Sequence, residues 1–280
     1  RDRDVTGVQT CALPISAFRG PGGNGVATFT NAPTEWDGAS GKNIKWKAEI
    51  PLPGANSPVV WDKHLFLTGA TDSVREVYCY DTETGQLRWK KSLENLPGTP
   101  PQPPDVNEET GFAASTMAVQ GDRTMALFAN GDLVCLDFDG NIQWSQSLGL
   151  AANHYGHSSS LIAWKNLLIV QFDQKKNGRV FALNIDDGKE AWTVPRTKIS
   201  WASPICLPTT AGDQLIVNSA KDVDAYNPLT GAALWKVTCL DGEVAPSPAY
   251  GAGKIFVAND NATATAISLT ADPATQKPEK

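Results

Sequence analysis

Histidine and methionine are scarce in this 280-residue chain, at three and two copies, and its five cysteines form no adjacent pair and no Cys-x-x-Cys. Cys11, Cys79, Cys135, Cys206 and Cys239 lie far apart, without the Cys/His spacing of a zinc site. They therefore read as free thiols that behave as small apolar core residues, and no metal site is expected. No apolar run approaches the roughly 18 residues that a membrane-crossing helix needs, so no transmembrane segment is expected. Charge of one sign is nowhere concentrated: 24 Lys and Arg against 30 Asp and Glu give a net charge of -6 without blocks. Such a balance argues against nucleic acid or an anionic membrane surface as partner.

Turn formers are plentiful instead. With 24 glycines, 19 prolines and 41 % hydrophobic residues, the composition suits an all-β protein with a large core and many tight turns. Five of the tryptophans, Trp46, Trp89, Trp144, Trp192 and Trp235, recur along the chain, and four close a repeated pattern. It reads Asp81, Gly85, Trp89; Asp137, Gly140, Trp144; Asn184, Gly188, Trp192; and Asn227, Gly231, Trp235. A self-similar period of about 40 to 50 residues is the mark of propellers and related arrays.

A second column sharpens the period. A Ser or Thr opens an apolar run in each unit, at Ser57, Thr116, Ser160, Ser203 and Ser247. From marker to closing Trp the count is 32 (57 to 89), 28 (116 to 144), 32 (160 to 192) and 32 (203 to 235). From each Trp to the next marker it is 11 (46 to 57), 27 (89 to 116), 16 (144 to 160), 11 (192 to 203) and 12 (235 to 247). The body is nearly constant, and the variation sits in one connection. Within the body, runs such as His64-Leu-Phe-Leu-Thr68 and Glu76-Val-Tyr-Cys-Tyr80 read as strands, and Asp81 to Gly85 as the hairpin turn before the Trp strand. Each unit then holds four short antiparallel strands, A to D, which is one blade of a β-propeller.

On these residues the chain resembles the PQQ-repeat β-propellers, also called quinoprotein alcohol dehydrogenase-like or BamB-like. The family's docking motif, Ala-x-Asp-x-x-x-Gly-x-x-x-Trp, is matched by Ala182 to Trp192 and Ala225 to Trp235 with Asn for Asp. Cysteine replaces the alanine in Cys79 to Trp89 and Cys135 to Trp144, and the latter turn is one residue short. The glycine-rich Phe18 to Gly25 opening and Ser57-Pro-Val-Val60 also look like the secreted, planctomycete-type members. The resemblance implies blades clamped by their tryptophans, commonly seven or eight to a ring. Four full units and a fifth that stops at Ser268 give the expectation of an incomplete arc of about five blades, the missing ones belonging to a longer parent. Residues 1–16 read as a non-native or disordered leader, 17–45 as an N-terminal extension, 46–268 as the repeats and 269–280 as a disordered tail.

In a four-stranded blade the D-to-A and B-to-C connections share one face, so the variable inserts map to that face, where binding usually resides. The larger, residues 90–115, is rich in proline, and the smaller, 145–159, carries His154, Tyr155 and His157. The two histidines at i, i+3 are candidates for a metal or a general base, and alternatively loop residues bonded to backbone. Trp201, Asn56 and Glu243 fall at the channel mouth by the same alignment, an aromatic with polar neighbours that suits a sugar or peptide, or else packs. The Ser/Thr column reads as a turn and strand-start device rather than a nucleophile. Some relatives implied by the resemblance bind pyrroloquinoline quinone and calcium, and those share an adjacent Cys-Cys pair and a set of Glu, Asn and Asp that have no counterpart here. The expected role is a non-catalytic propeller, periplasmic or secreted, binding a protein or a carbohydrate and taking no cofactor. The alternative is a quinone- and calcium-dependent dehydrogenase.

Overall fold

Alternation of apolar side chains along short strands gives each strand two faces to bury, and in the three middle sheets of this protein both faces meet another sheet. The structure is a computed structural model that describes residues 15–26, 33–261 and 263–269. The first 14 residues of the expected leader, Cys11 among them, and residues 270–280 of the expected tail lie outside the described residues, whereas Ile15 and Ser16, the last two residues of that leader, are described and accept hydrogen bonds from Val60 and Val119.

Among the described residues nineteen strands form five antiparallel sheets. The first holds β1 Val59–Trp61, β2 His64–Ala70, β3 Arg75–Asp81 and β4 Leu87–Ser92. The second holds β5 Ala118–Gln120, β6 Arg123–Leu127, β7 Asp132–Asp137 and β8 Ile142–Ser147. The third holds β9 Ile162–Trp164, β10 Leu167–Phe172, β11 Gly178–Asn184 and β12 Glu190–Arg196. The fourth holds β13 Ile205–Leu207, β14 Gln214–Asn218, β15 Asp222–Tyr226 and β16 Ala233–Thr238. The fifth has β17 Ala249–Gly251, β18 Lys254–Ala258 and β19 Ala264–Ser268. Strands follow chain order within every sheet, so the fold is all-β and each sheet is a meander, as a propeller requires. Among the described residues the fifth sheet has three strands where the others have four, so the described sheets form an incomplete propeller.

Four apolar clusters fill the four spaces between successive sheets. Val59, Phe66, Val77 and Cys79 of the first sheet meet Val119, Ala126, Val134 and Leu136 of the second. Within β13 the period of two is explicit: Ile205 and Leu207 face the fifth sheet, while Cys206 between them faces the third. Cys79, Cys135 and Cys206 are buried, and burial pushes the Cys79 and Cys135 thiols up to about 12, so they serve as packing groups.

The repeated motif has one geometry. Cys79, Cys135, Ala182 and Ala225 each pair directly with the Trp of the following strand, and a register shift follows immediately in every sheet. The shift turns the indole out of its own sheet onto the hairpin turn of the next. The indole nitrogen of Trp46 donates to Thr82 O, that of Trp89 to Phe138 O, that of Trp144 to Ile185 O and that of Trp192 to Pro228 O, at 2.7 to 3.0 Å. Each of these rings lies flat on the motif glycine: a Cβ at Gly85, Gly140, Gly188 or Gly231 would stand 2.5 to 3.0 Å from the Trp ring of the preceding unit. Glycine is needed twice over, for that approach and for φ of +70 to +84°. Trp235 has only the three-stranded sheet beyond it, and its indole donates within its own sheet to Gln214.

The Ser/Thr column does more than start strands. The N–H of Ser57 donates to Thr116 Oγ1, that of Thr116 to Ser160 Oγ, that of Ser160 to Ser203 Oγ and that of Ser203 to Ser247 Oγ, at 2.9 to 3.1 Å. These hydroxyls form a ladder between sheets, each bonded across 43 to 59 residues.

Candidate functional site

The connection after each D strand lies against the B-to-C turn of the next sheet, which fixes the variable inserts on one face of the disc. Thr99 of the long insert donates to Asp132, Ala152 N to Gln174, and Asp260 N to Glu243 O. Three inserts converge above the inner strands. His154 and Tyr155 come from the connection between the second and third sheets, Trp201 from that between the third and fourth, and Glu243 from that between the fourth and fifth.

These four side chains form one cluster. The ring centroids of His154 and Tyr155 are 4.2 Å apart, those of Tyr155 and Trp201 5.0 Å, and His154 meets Trp201 edge-on at 5.1 Å. Such spacings are those of favourable aromatic pairs. The Nε2 of His154 lies 3.2 Å from a carboxylate oxygen of Glu243, both half-exposed. Trp201 is 8 % exposed, and its indole N–H is buried without an acceptor. An orphaned buried donor calls for an explanation.

Beneath the cluster lies a cavity of about 280 Å³ whose lining includes Trp201, Phe18, Glu109, Ser158 and marker hydroxyls of the ladder. Phe18 and Glu109 are additions that sequence reasoning did not single out. Glu109 comes from the proline-rich insert notable for its length, and length carries no hint of which residue borders the cavity.

The other two candidates are elsewhere. The side chain of Asn56 donates to Thr68 O and Ala113 O and accepts from Thr68 N, so its amide clips the first sheet to the long insert. His157 points away from His154: it is 3 % exposed and packs on Phe172 with ring centroids 5.1 Å apart. Chain spacing puts the two histidines close, but the residues alternate between channel and interior, and the pair shares no ligand. Among the described residues no group of three or more His, Cys, Asp or Glu is arranged to hold a metal.

With the repeats docked in this way, sequence comparison decides the family. A family model described as outer membrane protein assembly factor BamB matches residues 34–207. The chain belongs to the PQQ-repeat β-propeller family. Solved PQQ-type propellers repeat the architecture. BamB from Moraxella catarrhalis aligns with a TM-score of 0.56 at 16 % identity, covering 80 % of this chain and 63 % of its own. A europium-containing methanol dehydrogenase aligns at 0.51 and 12 % identity, over 80 % of this chain and 54 % of its own. A quinohemoprotein alcohol dehydrogenase from Pseudomonas putida aligns at 0.53 and 17 %, over 83 % and 45 %. Identities this low establish the shared fold alone, and this chain spans 45 to 63 % of the length of those proteins. No curated protein matches. Within this PQQ-repeat chain, among the described residues, no helix is long and apolar enough to cross a membrane.

Burial lowers the pKa of His157 to about 4, because the charged ring would lose its water. The unfolded chain carries an ordinary histidine near 6.5, so as pH falls from about 6.5 toward 4 the unfolded state takes up a proton that the folded state refuses. Stability attached to this residue is complete above pH 6.5 and is lost below it, by about 2–3 kcal/mol at pH 4. Urea midpoints at pH 7.5 and pH 5 will show that fall, and His157→Leu will flatten this part of the profile.

Proposed function

We propose that this propeller is a non-catalytic binding scaffold working outside the cytoplasm, and that it takes a protein or carbohydrate ligand at the loop face through His154, Tyr155, Trp201 and Glu243. The observation that carries the reading is the convergence of three inserts into an aromatic cluster with one carboxylate over a cavity of about 280 Å³, with the Trp201 N–H still seeking an acceptor. Aromatic rings beside a cavity lined largely by serine, threonine and alanine suit a ligand that offers both a flat apolar face and hydroxyl or amide oxygens. Ligand chemistry of this kind is common to sugars and to extended peptides. The extracytoplasmic setting is supported by the match to a family model named for outer membrane assembly.

A dehydrogenase holding quinone and calcium is the competing reading, raised by two of the structural neighbours. The cavity does not fit that pair: its lining has one carboxylate, Glu109, and the hydroxyls of Thr116, Ser160, Ser203 and Ser247 already accept ladder bonds. Hard cations take six or more oxygen ligands, usually with several carboxylates.

Two titrations separate the readings. Panels of oligosaccharides and of extended peptides, followed by tryptophan fluorescence, are expected to contain a binder whose affinity falls at least tenfold in Tyr155→Ala and Glu243→Gln. Stoichiometric uptake of pyrroloquinoline quinone with calcium, accompanied by dye reduction, would overturn the scaffold reading.

A further inference from the structure

The glycine-rich segment near the N-terminus touches the inner strands of all five sheets, bridging at Ile15 and turning back on itself between Arg19 and Gly25. Ile15 forms a bridge with Val60, and the N–H of Val60 donates to Ile15 O at 2.9 Å. The N–H of Val119 donates to Ser16 O at 2.7 Å. Ala17 enters the core between the third and fourth sheets beside Ile162 and Cys206. At the far end Arg19 donates to Ser247 O and Pro248 O, and Asn24 exchanges two hydrogen bonds with the backbone of Tyr250.

Val60, Val119, Cys206 and Tyr250 each stand three residues after their marker (57 to 60, 116 to 119, 203 to 206, 247 to 250), while the segment's Arg19 and Gly23 reach the backbone at Ser247, Pro248 and Pro204, up to three residues nearer the markers. Close approach accounts for its composition. A Cβ on Gly22 would stand 2.7 Å from Cys206 O, one on Gly23 3.1 Å from Pro204 O, and both have positive φ. Phe18, midway along, lines the cavity under the loop-face cluster, with the markers between the two levels.

We propose that the inner wall of the five sheets is a binding surface for a short glycine-rich segment that bridges the first sheet at Ile15 and folds into turns over the fourth and fifth sheets, and that residues 15–25 are its resident occupant. The segment is a strap: it links sheets that otherwise touch only their neighbours. Repeat arrays draw stability from nearest-neighbour interfaces, so an element that contacts every unit couples ends that the array leaves independent.

Hydrogen exchange at single amides tests this in the full chain. In Arg19→Ala/Asn24→Ala the anchors at the fifth sheet are gone, and protection at Val60 and Val119, at the other end, is expected to fall about tenfold, while Ile169 and Val180 inside the third sheet keep theirs. A synthetic peptide of residues 15–26, added at millimolar concentration, is expected to restore the lost protection. Unchanged protection at Val60 and Val119 would overturn the strap, as would a uniform loss at every amide. Failure of the peptide to restore protection would overturn the binding surface. Should the double variant not fold, Asn24→Asp keeps the acceptor for the Tyr250 N–H but sets an oxygen against Tyr250 O, and the same amides report.

Discussion

Replacing Trp192 with alanine will cost about 3–5 kcal/mol of folding stability, the range for truncating a buried large aromatic. Trp192 is 9 % exposed, packs in the cluster between the third and fourth sheets and donates to Pro228 O of the next hairpin turn. Truncation removes the ring and leaves a void on Gly231, whose left-handed backbone cannot move in to fill it. Gly231→Ala will act on the same interface from the other side, since its new Cβ would stand 2.7 Å from the Trp192 ring. Because the two groups touch, the double variant will cost less than the sum of the single ones. Chemical denaturation of the four proteins checks both statements. Additive losses would mean that the contact contributes nothing beyond each residue's own packing.

Arg196→Met will be as damaging for an electrostatic reason. The guanidinium joins Asp173 at 2.6 Å and Asp224 at 3.1 Å, across the interface of the third and fourth sheets, and both Arg196 and Asp173 are buried. Its charged form is strongly favoured by the two carboxylates, while burial, with the nearby Asp224 charge, pulls the Asp173 carboxyl upward. Removing the arginine strands an uncompensated buried carboxylate, which costs about 3–5 kcal/mol. Arg196→Met combined with Asp173→Leu will recover most of the loss, because apolar replacement of a whole buried pair is often neutral. Unfolding midpoints of the single and double variants decide the matter: a double variant no better than Arg196→Met would show that the pair contributes attraction and not mutual rescue.

The clamp was legible in the sequence because every part of it recurs. Gly188 and Trp192 lie four residues apart, and the local hairpin they build is visible in any single unit. Even the substitution of cysteine for alanine at Cys79 and Cys135 was readable, since both small residues fit opposite the Trp. The ladder was half legible. Its residues stood out as a column, but the acceptor for the Ser57 N–H is Thr116, 59 residues away, and periodicity does not say that equivalent residues touch each other. The site was legible only as a face. Insert length pointed to residues 145–159, yet His154 finds Glu243 across 89 residues, and the place of Glu109 at the cavity edge is set by the path of a long loop. Asn56 was misleading at the sequence level for a physical reason: an amide with two donors and an acceptor satisfies backbone as readily as ligand. The strap left the weakest trace, since its glycines resemble any loop until their neighbours on the inner wall are known.

The hydroxyl ladder has a polarity. Every N–H in it points toward the unit that follows and every acceptor faces the unit before, so its two termini are complementary and not equivalent. A sheet added beyond Ser247 extends the series by offering a hydroxyl, and one added before Ser57 extends it by offering an amide. The order in which blades can be joined is thus written at the narrowest part of the disc, by groups too small to clash and too directional to be reversed.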